Sequence, residues 1–117
     1  MDEQKLYEFR VKWNAEADTL RRMMHNSVVD ALKKLETPLG HRAIWLRAEL
    51  ETAAGTSSRK LYLLKVIGEE MEEDLSQLLP LEEDQIGPYD KEVEIMEDAI
   101  EAAREFWNRY RNAEHHL

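Results

Sequence analysis

The sequence predicts an all-α protein, an antiparallel four-helix bundle with a long N-terminal helix, on three observations. Apolar residues recur at steps of three and four through four stretches of helix length, the spacing that lines one face of a helix. Apart from Gly68, proline and glycine gather in the short segments between those stretches: "TPLG" (Thr37 to Gly40), "AAGTSS" (Ala53 to Ser58) and Pro80 to Pro88. Hydrophobic residues make up 43% and charged residues 35% of the 117 residues, a balance that supports a packed core rather than a disordered chain.

In the first stretch Leu6, Phe9, Trp13, Ala17, Leu20, Met24, Val28, Ala31 and Leu35 trace one long helical face. The second, "HRAIWLRAELETAA", places Ala43, Leu46, Leu50 and Ala53 on one stripe. There Ile44, Leu46, Ala48 and Leu50 also alternate as a strand would, so a hairpin of 42–52 with 59–67 around "AAGTSS", in an α+β fold, is the competing architecture. The third keeps helical spacing through Leu61, Leu64, Ile67, Met71, Leu75 and Leu78, with Ser57 or Ser58 as N-cap and Pro80 as the stop. Gly68 inside it costs about 1 kcal/mol relative to alanine or marks a close packing contact. The fourth steps 3, 4, 3, 4, 3 through Val93, Met96, Ile100, Ala103, Trp107 and Tyr110, a coiled-coil-like seam. Pro88 to Asp90 open it, acids fill its first turns, and Arg104, Arg109 and Arg111 lie toward the end where the helix dipole favours cations.

A length of 117 residues suits a single helical domain spanning 1–117. The chain has no cysteine, which excludes disulfides, thiolate metal sites and a cysteine nucleophile. The N-terminal "MDEQKLYEFR" lacks an apolar signal core, and no apolar run approaches the roughly 20 residues that span a bilayer, so a cytoplasmic protein without membrane contact is expected. The net charge of −9 divides unevenly: Glu69 to Glu101 carries fourteen acids and one base, Lys91, while the rest balances to +4. Nucleic acid would be repelled along the acidic segment. A cation, a basic protein surface or the basic region of a second copy would be attracted.

Within that segment "EEMEE", Glu69 to Glu73, fits E-E-x-x-E, and Glu94-Ile95-Met96-Glu97 forms an E-x-x-E on the next helix. The pair resembles the metal-binding motifs of the MazG-like all-α nucleoside triphosphate pyrophosphohydrolases. The run "LKVIGEEMEE" is similar to the corresponding helix of phosphoribosyl-ATP pyrophosphatases, with Glu97 standing where the family has Asp. The resemblance implies that Glu69, Glu70, Glu73, Glu94 and Glu97 hold Mg²⁺ against a triphosphate while water attacks phosphorus. At about 100° per residue, Glu69, Glu73 and Glu94 point roughly opposite their own apolar stripes. They would converge only where outer faces meet, most simply in a dimer; otherwise the run is a solvated face.

The C-terminal "RNAEHH", Arg111 to His116, fits R-N-x-x-x-H and resembles the ribonuclease motif of HEPN domains, helical bundles whose Arg and His act on a scissile phosphate at a dimer interface. Trp13, Trp107 and Tyr110 lie on core stripes, Trp45 is a candidate partner contact, and His25 and His41 read as surface residues. Ser57 and Ser58 lie in no nucleophile elbow or phosphate loop. The leading expectation is therefore a non-enzymatic, homodimeric interaction protein with an acidic surface for a basic protein partner and no cofactor. A Mg²⁺-dependent pyrophosphohydrolase, active or degenerate, is the alternative, and a HEPN-like ribonuclease the third.

Overall fold

A computed structural model describes residues 2–117 and contains four helices: α1 (Glu3–Leu39), α2 (His41–Glu51), α3 (Ser57–Gln77) and α4 (Asp90–His115). No strand occurs among the described residues, so the hairpin across 42–67 is not formed. Burial decides between the two patterns of the second stretch. Ala43, Leu46 and Leu50, the helical set, are inside, whereas Ile44 and Ala48 of the alternating set are exposed. Ala53, the last residue of the expected stripe, lies exposed in the turn after α2.

Side-chain contacts give the direction of each helix. Phe9 and Trp13 near the start of α1 meet Tyr110 and Phe106 near the end of α4, and Lys34 near the end of α1 meets Glu92 at the start of α4. In the same way Arg42 of α2 reaches Glu70 and Asp74 of α3, and Tyr62 of α3 meets Trp107 of α4. Each consecutive pair is thus antiparallel. α1 touches all three other helices, whereas α2 and α4 do not meet. At about 1.5 Å per residue the 37 residues of α1 span about 55 Å, which matches the longest extent of the molecule, 55 Å.

The helix ends follow local chemistry. Asp2 caps α1, its carboxylate accepting from the Gln4 amide at 2.9 Å. Pro38 does not stop α1 where "TPLG" begins. It costs one amide donor in the last turn, and the helix closes at Gly40, whose N–H donates to the Glu36 carbonyl at 2.8 Å. Thr56, rather than Ser57 or Ser58, is the N-cap of α3, accepting from the Arg59 amide at 3.1 Å. The two serines instead tie α3 to α1. The Ser57 hydroxyl accepts from Arg21 Nε and donates to Asp18, both at 2.8 Å, and Ser58 donates to Asn14. The bond from Ser57 is the main reason the Asp18 carboxyl sits below its ordinary pKa.

The width of each buried stripe reflects how many neighbours a helix has. The first half of α1 buries a narrow row, Phe9, Trp13 and Ala17, whereas its second half buries Val28, Val29, Ala31, Leu32 and Leu35. Only Val28, Ala31 and Leu35 of that second set lie on the row expected from sequence. On α4 the buried set is Glu92, Val93, Met96, Ala99, Ile100, Ala103 and Phe106. Phe106, not Trp107, is the fully buried aromatic; Trp107 and Tyr110 pack on the core from its edge. The close approach of α3 to α4 falls at Gly68: a Cβ there would lie 2.5 Å from Ile100 Cγ1 and 2.9 Å from its Cδ1.

Among the described residues two charged ones, Lys60 and Glu92, are buried. Lys60 donates to the Thr52 carbonyl at 2.6 Å, closing the end of α2, and burial beside Arg21 lowers its pKa. Glu92, in the first turn of α4, accepts from its own backbone N–H and pairs with Lys34 at 3.2 Å; both hold its carboxyl below the ordinary range. A carboxyl with a depressed folded pKa contributes stability above its unfolded value and loses that contribution as pH falls through the folded one. Melting temperature is therefore expected to fall as pH drops below the ordinary glutamate value of 4.5. Glu92→Gln should be less stable at neutral pH and show a shallower acid slope; equal slopes in a titration of melting temperature would contradict the pairing. His25 is half-buried beside Arg21, Met24 and Lys60, not on the surface as its sequence context suggests; His41 is exposed. Among the described residues no helix is long and apolar enough to cross a membrane.

Candidate functional site

The acidic residues named from the sequence occupy the last turns of α3 and the first of α4. The hydrophobic rows of these helices face the core, so the intervening positions carry the carboxylates outward. Glu69, Glu70, Glu73, Glu94 and Glu97 are all exposed. Glu69 is held at 2.9 Å by Lys65, one turn earlier, and faces Arg104 of α4 at 3.9 Å. Glu70 is 3.9 Å from Arg42, whose guanidinium also donates to the Glu70 carbonyl and lies 3.6 Å from Asp74. No cation lies within ion-pair distance of Glu73, Glu94 or Glu97 among the described residues.

A different set gathers in the cleft between α3 and α4. Glu72, Ser76, Glu97, Glu101 and Arg104 line it, with Ile100 among them. Glu72 accepts a hydrogen bond from Arg104, so a guanidinium already balances the carboxylates nearest it. Of the five expected ligands only Glu97 lines this cleft, and Glu69 approaches it through Arg104. Among the described residues no group of three or more His, Cys, Asp or Glu is placed to hold a metal ion. The residues that sequence reasoning left out are Glu72, Glu101 and Arg104. The i,i+4 spacing of Glu97 and Glu101, followed by Arg104 three residues on, was the available signal.

The other candidate motifs remain apart. Arg111 and His116 are both exposed, and His116 caps the end of α4 with its ring 5.5 Å from that of His115. Ser57 is engaged with Arg21 and Asp18 in a staple between helices, with no histidine bonded to it. Trp45 is exposed beside Ile44 on α2. Compared with known proteins, the chain matches no family model, no curated protein and no solved structure.

Proposed function

We propose that the protein is a non-enzymatic, cytoplasmic interaction protein that self-associates and presents an acidic face to a basic protein partner. One observation carries the reading. Glu73, Glu82, Glu83, Asp84, Glu94, Glu97, Asp98 and Glu101 are all exposed, and no cation is within 4.0 Å of them among the described residues. Uncompensated carboxylates at one end and along one side of a rigid bundle create a negative potential that steers a basic surface toward it. Glu70 and Glu72 are balanced by Arg42 and Arg104, which leaves Glu73, Glu94, Glu97 and Glu101 as the uncompensated carboxylates of α3 and α4 on this face. Because the charges are exposed, they act mainly on association rate and lose reach beyond about 10 Å at 0.1 M salt.

The test uses an oligolysine peptide as the basic probe. Binding should weaken steeply with salt, and Glu94→Lys with Glu97→Lys should reduce it several-fold more than reversing Glu3 and Glu8 at the far end of α1. Equal losses from the two pairs would mean that net charge alone attracts the peptide, and the acidic-face reading would fail.

A further inference from the structure

Two surfaces at one end of the bundle complement each other. The first is concave. Adjoining hollows lined by α1 and α4 follow one another along the molecule; the middle one is mainly apolar through Leu20, Met24, Ile95 and Ala102, with Asp98 also in its lining and Met23 77% exposed on its rim. At the end nearest the start of α4 three lysines, Lys33, Lys34 and Lys91, line the groove together with two carboxylates, Asp30 and Glu92. Lys34 is paired with Glu92, whereas Lys33 and Lys91 have no carboxylate at ion-pair distance among the described residues.

The second surface lies at the same end, where residues 78–89 join α3 to α4. Leu81 and Ile86 are 101% and 93% exposed, unusual for large aliphatic side chains. Between them stand Glu82, Glu83 and Asp84, also exposed. The loop is closed at its neck: the Gly87 N–H donates to Asp90 at 2.8 Å, and a Cβ on Gly87 would lie 3.2 Å from the ring of Pro80. Inside it the Gln85 amide donates to the Glu82 carbonyl at 3.1 Å. A loop held in shape loses little conformational entropy when it docks.

We infer that two copies pair about a two-fold axis, the loop from Leu81 to Ile86 of each seating on the α1–α4 groove of the other. This rests on the self-association proposed above and names its surfaces. Leu81 and Ile86 leave water against the groove's apolar middle, and the loop carboxylates come to lie beside Lys33 and Lys91. A second copy is the occupant because one chain carries both halves of the match at one end, so a single two-fold operation satisfies both contacts at once. The adaptable methionines Met23 and Met24 suit a groove that must close around a loop.

Sedimentation velocity at about 50 µM, within the range where weak dimers form, tests the pairing with two charge-reversed chains. One carries Glu82→Lys, Glu83→Lys and Asp84→Lys; the other carries Lys33→Glu and Lys91→Glu. All five positions are exposed, so folding should be retained. The parent is expected to be dimeric. Each variant alone sets like charges against each other in both contacts and should be monomeric, while an equimolar mixture restores opposite charges at both and should recover the dimer. A monomeric parent would overturn self-association and the pairing together. A dimer indifferent to both sets of reversals would overturn the seating of loop on groove and leave self-association standing. Variants that remain monomeric when mixed would overturn the seating as well.

Discussion

Replacing Phe106 with alanine is expected to destabilise the fold by about 3–5 kcal/mol, the usual cost of truncating a fully buried aromatic side chain. Phe106 is 1% exposed and closes an aromatic cluster, its ring centroid 5.6 Å from that of Trp13 and 5.6 Å from that of Trp107. The cluster joins the first half of α1 to the last turns of α4, a region where α1 buries only a narrow row. Few neighbours are available to collapse into the void, which favours the upper part of the range. Trp107→Ala, although it removes a larger side chain, should cost less, because Trp107 is only partly buried. Chemical denaturation of the two variants checks the order. A larger loss for Trp107→Ala would mean that the seam expected from sequence, not the structure, describes the core.

Gly68→Ala is the second large effect, and its sign runs against intrinsic preference. In an ordinary helix interior the change would add up to about 1 kcal/mol of stability. Here the new methyl group would meet Ile100 Cγ1 at 2.5 Å and Cδ1 at 2.9 Å, and Ile100 is itself 1% exposed, so its side chain must shift. Overpacking of this kind costs typically about 1–3 kcal/mol. A net loss of stability is expected, with α3 and α4 forced apart at that level. A variant as stable as the parent, or more so, would show that the two helices do not approach each other closely there.

These two sites also show what was legible in the sequence and what was not. Four helices, their order and most of their inner faces follow from apolar spacing, because a helix must turn its apolar row toward its neighbours. Gly68 was readable as a close contact, but its partner Ile100 was not, since spacing within one helix carries no register between two. Phe106 was missed for a physical reason. α4 packs against both α1 and α3: Glu92, Phe106 and Tyr110 meet α1, Ile100 and Trp107 meet α3, and Val93, Met96, Ala99 and Ala103 are buried as well, a stripe wider than one seam. A two-position seam describes a helix with one partner and leaves out a row. The same widening adds Val29 and Leu32 to α1 where α2, α3 and α4 all meet it.

The candidate site was less legible than the fold. The exposure of Glu69, Glu70 and Glu73 follows from their positions opposite the apolar row, and the sequence carries that much. What it does not carry is the partner across the helix boundary. Arg104 lies 32 residues from Glu72 and binds it, and Arg42 lies 28 residues from the Glu70 carbonyl that accepts its hydrogen bond. Five acids stand in a metal-like spacing along the chain, whereas the fold distributes them among two arginines, a lysine and solvent.

The most direct measurement is the melting temperature of the parent chain and of Glu97→Gln with and without millimolar Mg²⁺. A site holding Mg²⁺ needs several oxygen ligands at about 2.0–2.1 Å from one point, and bound ion adds stability by mass action. An acidic face that serves to attract a basic surface predicts no Mg²⁺-dependent rise in either protein, and Glu97→Gln at least as stable as the parent because it loses a repelling charge. A Mg²⁺-dependent rise of several degrees in the parent that disappears in Glu97→Gln, together with pyrophosphate released from a nucleoside triphosphate, would contradict this and establish a metal-dependent pyrophosphohydrolase instead.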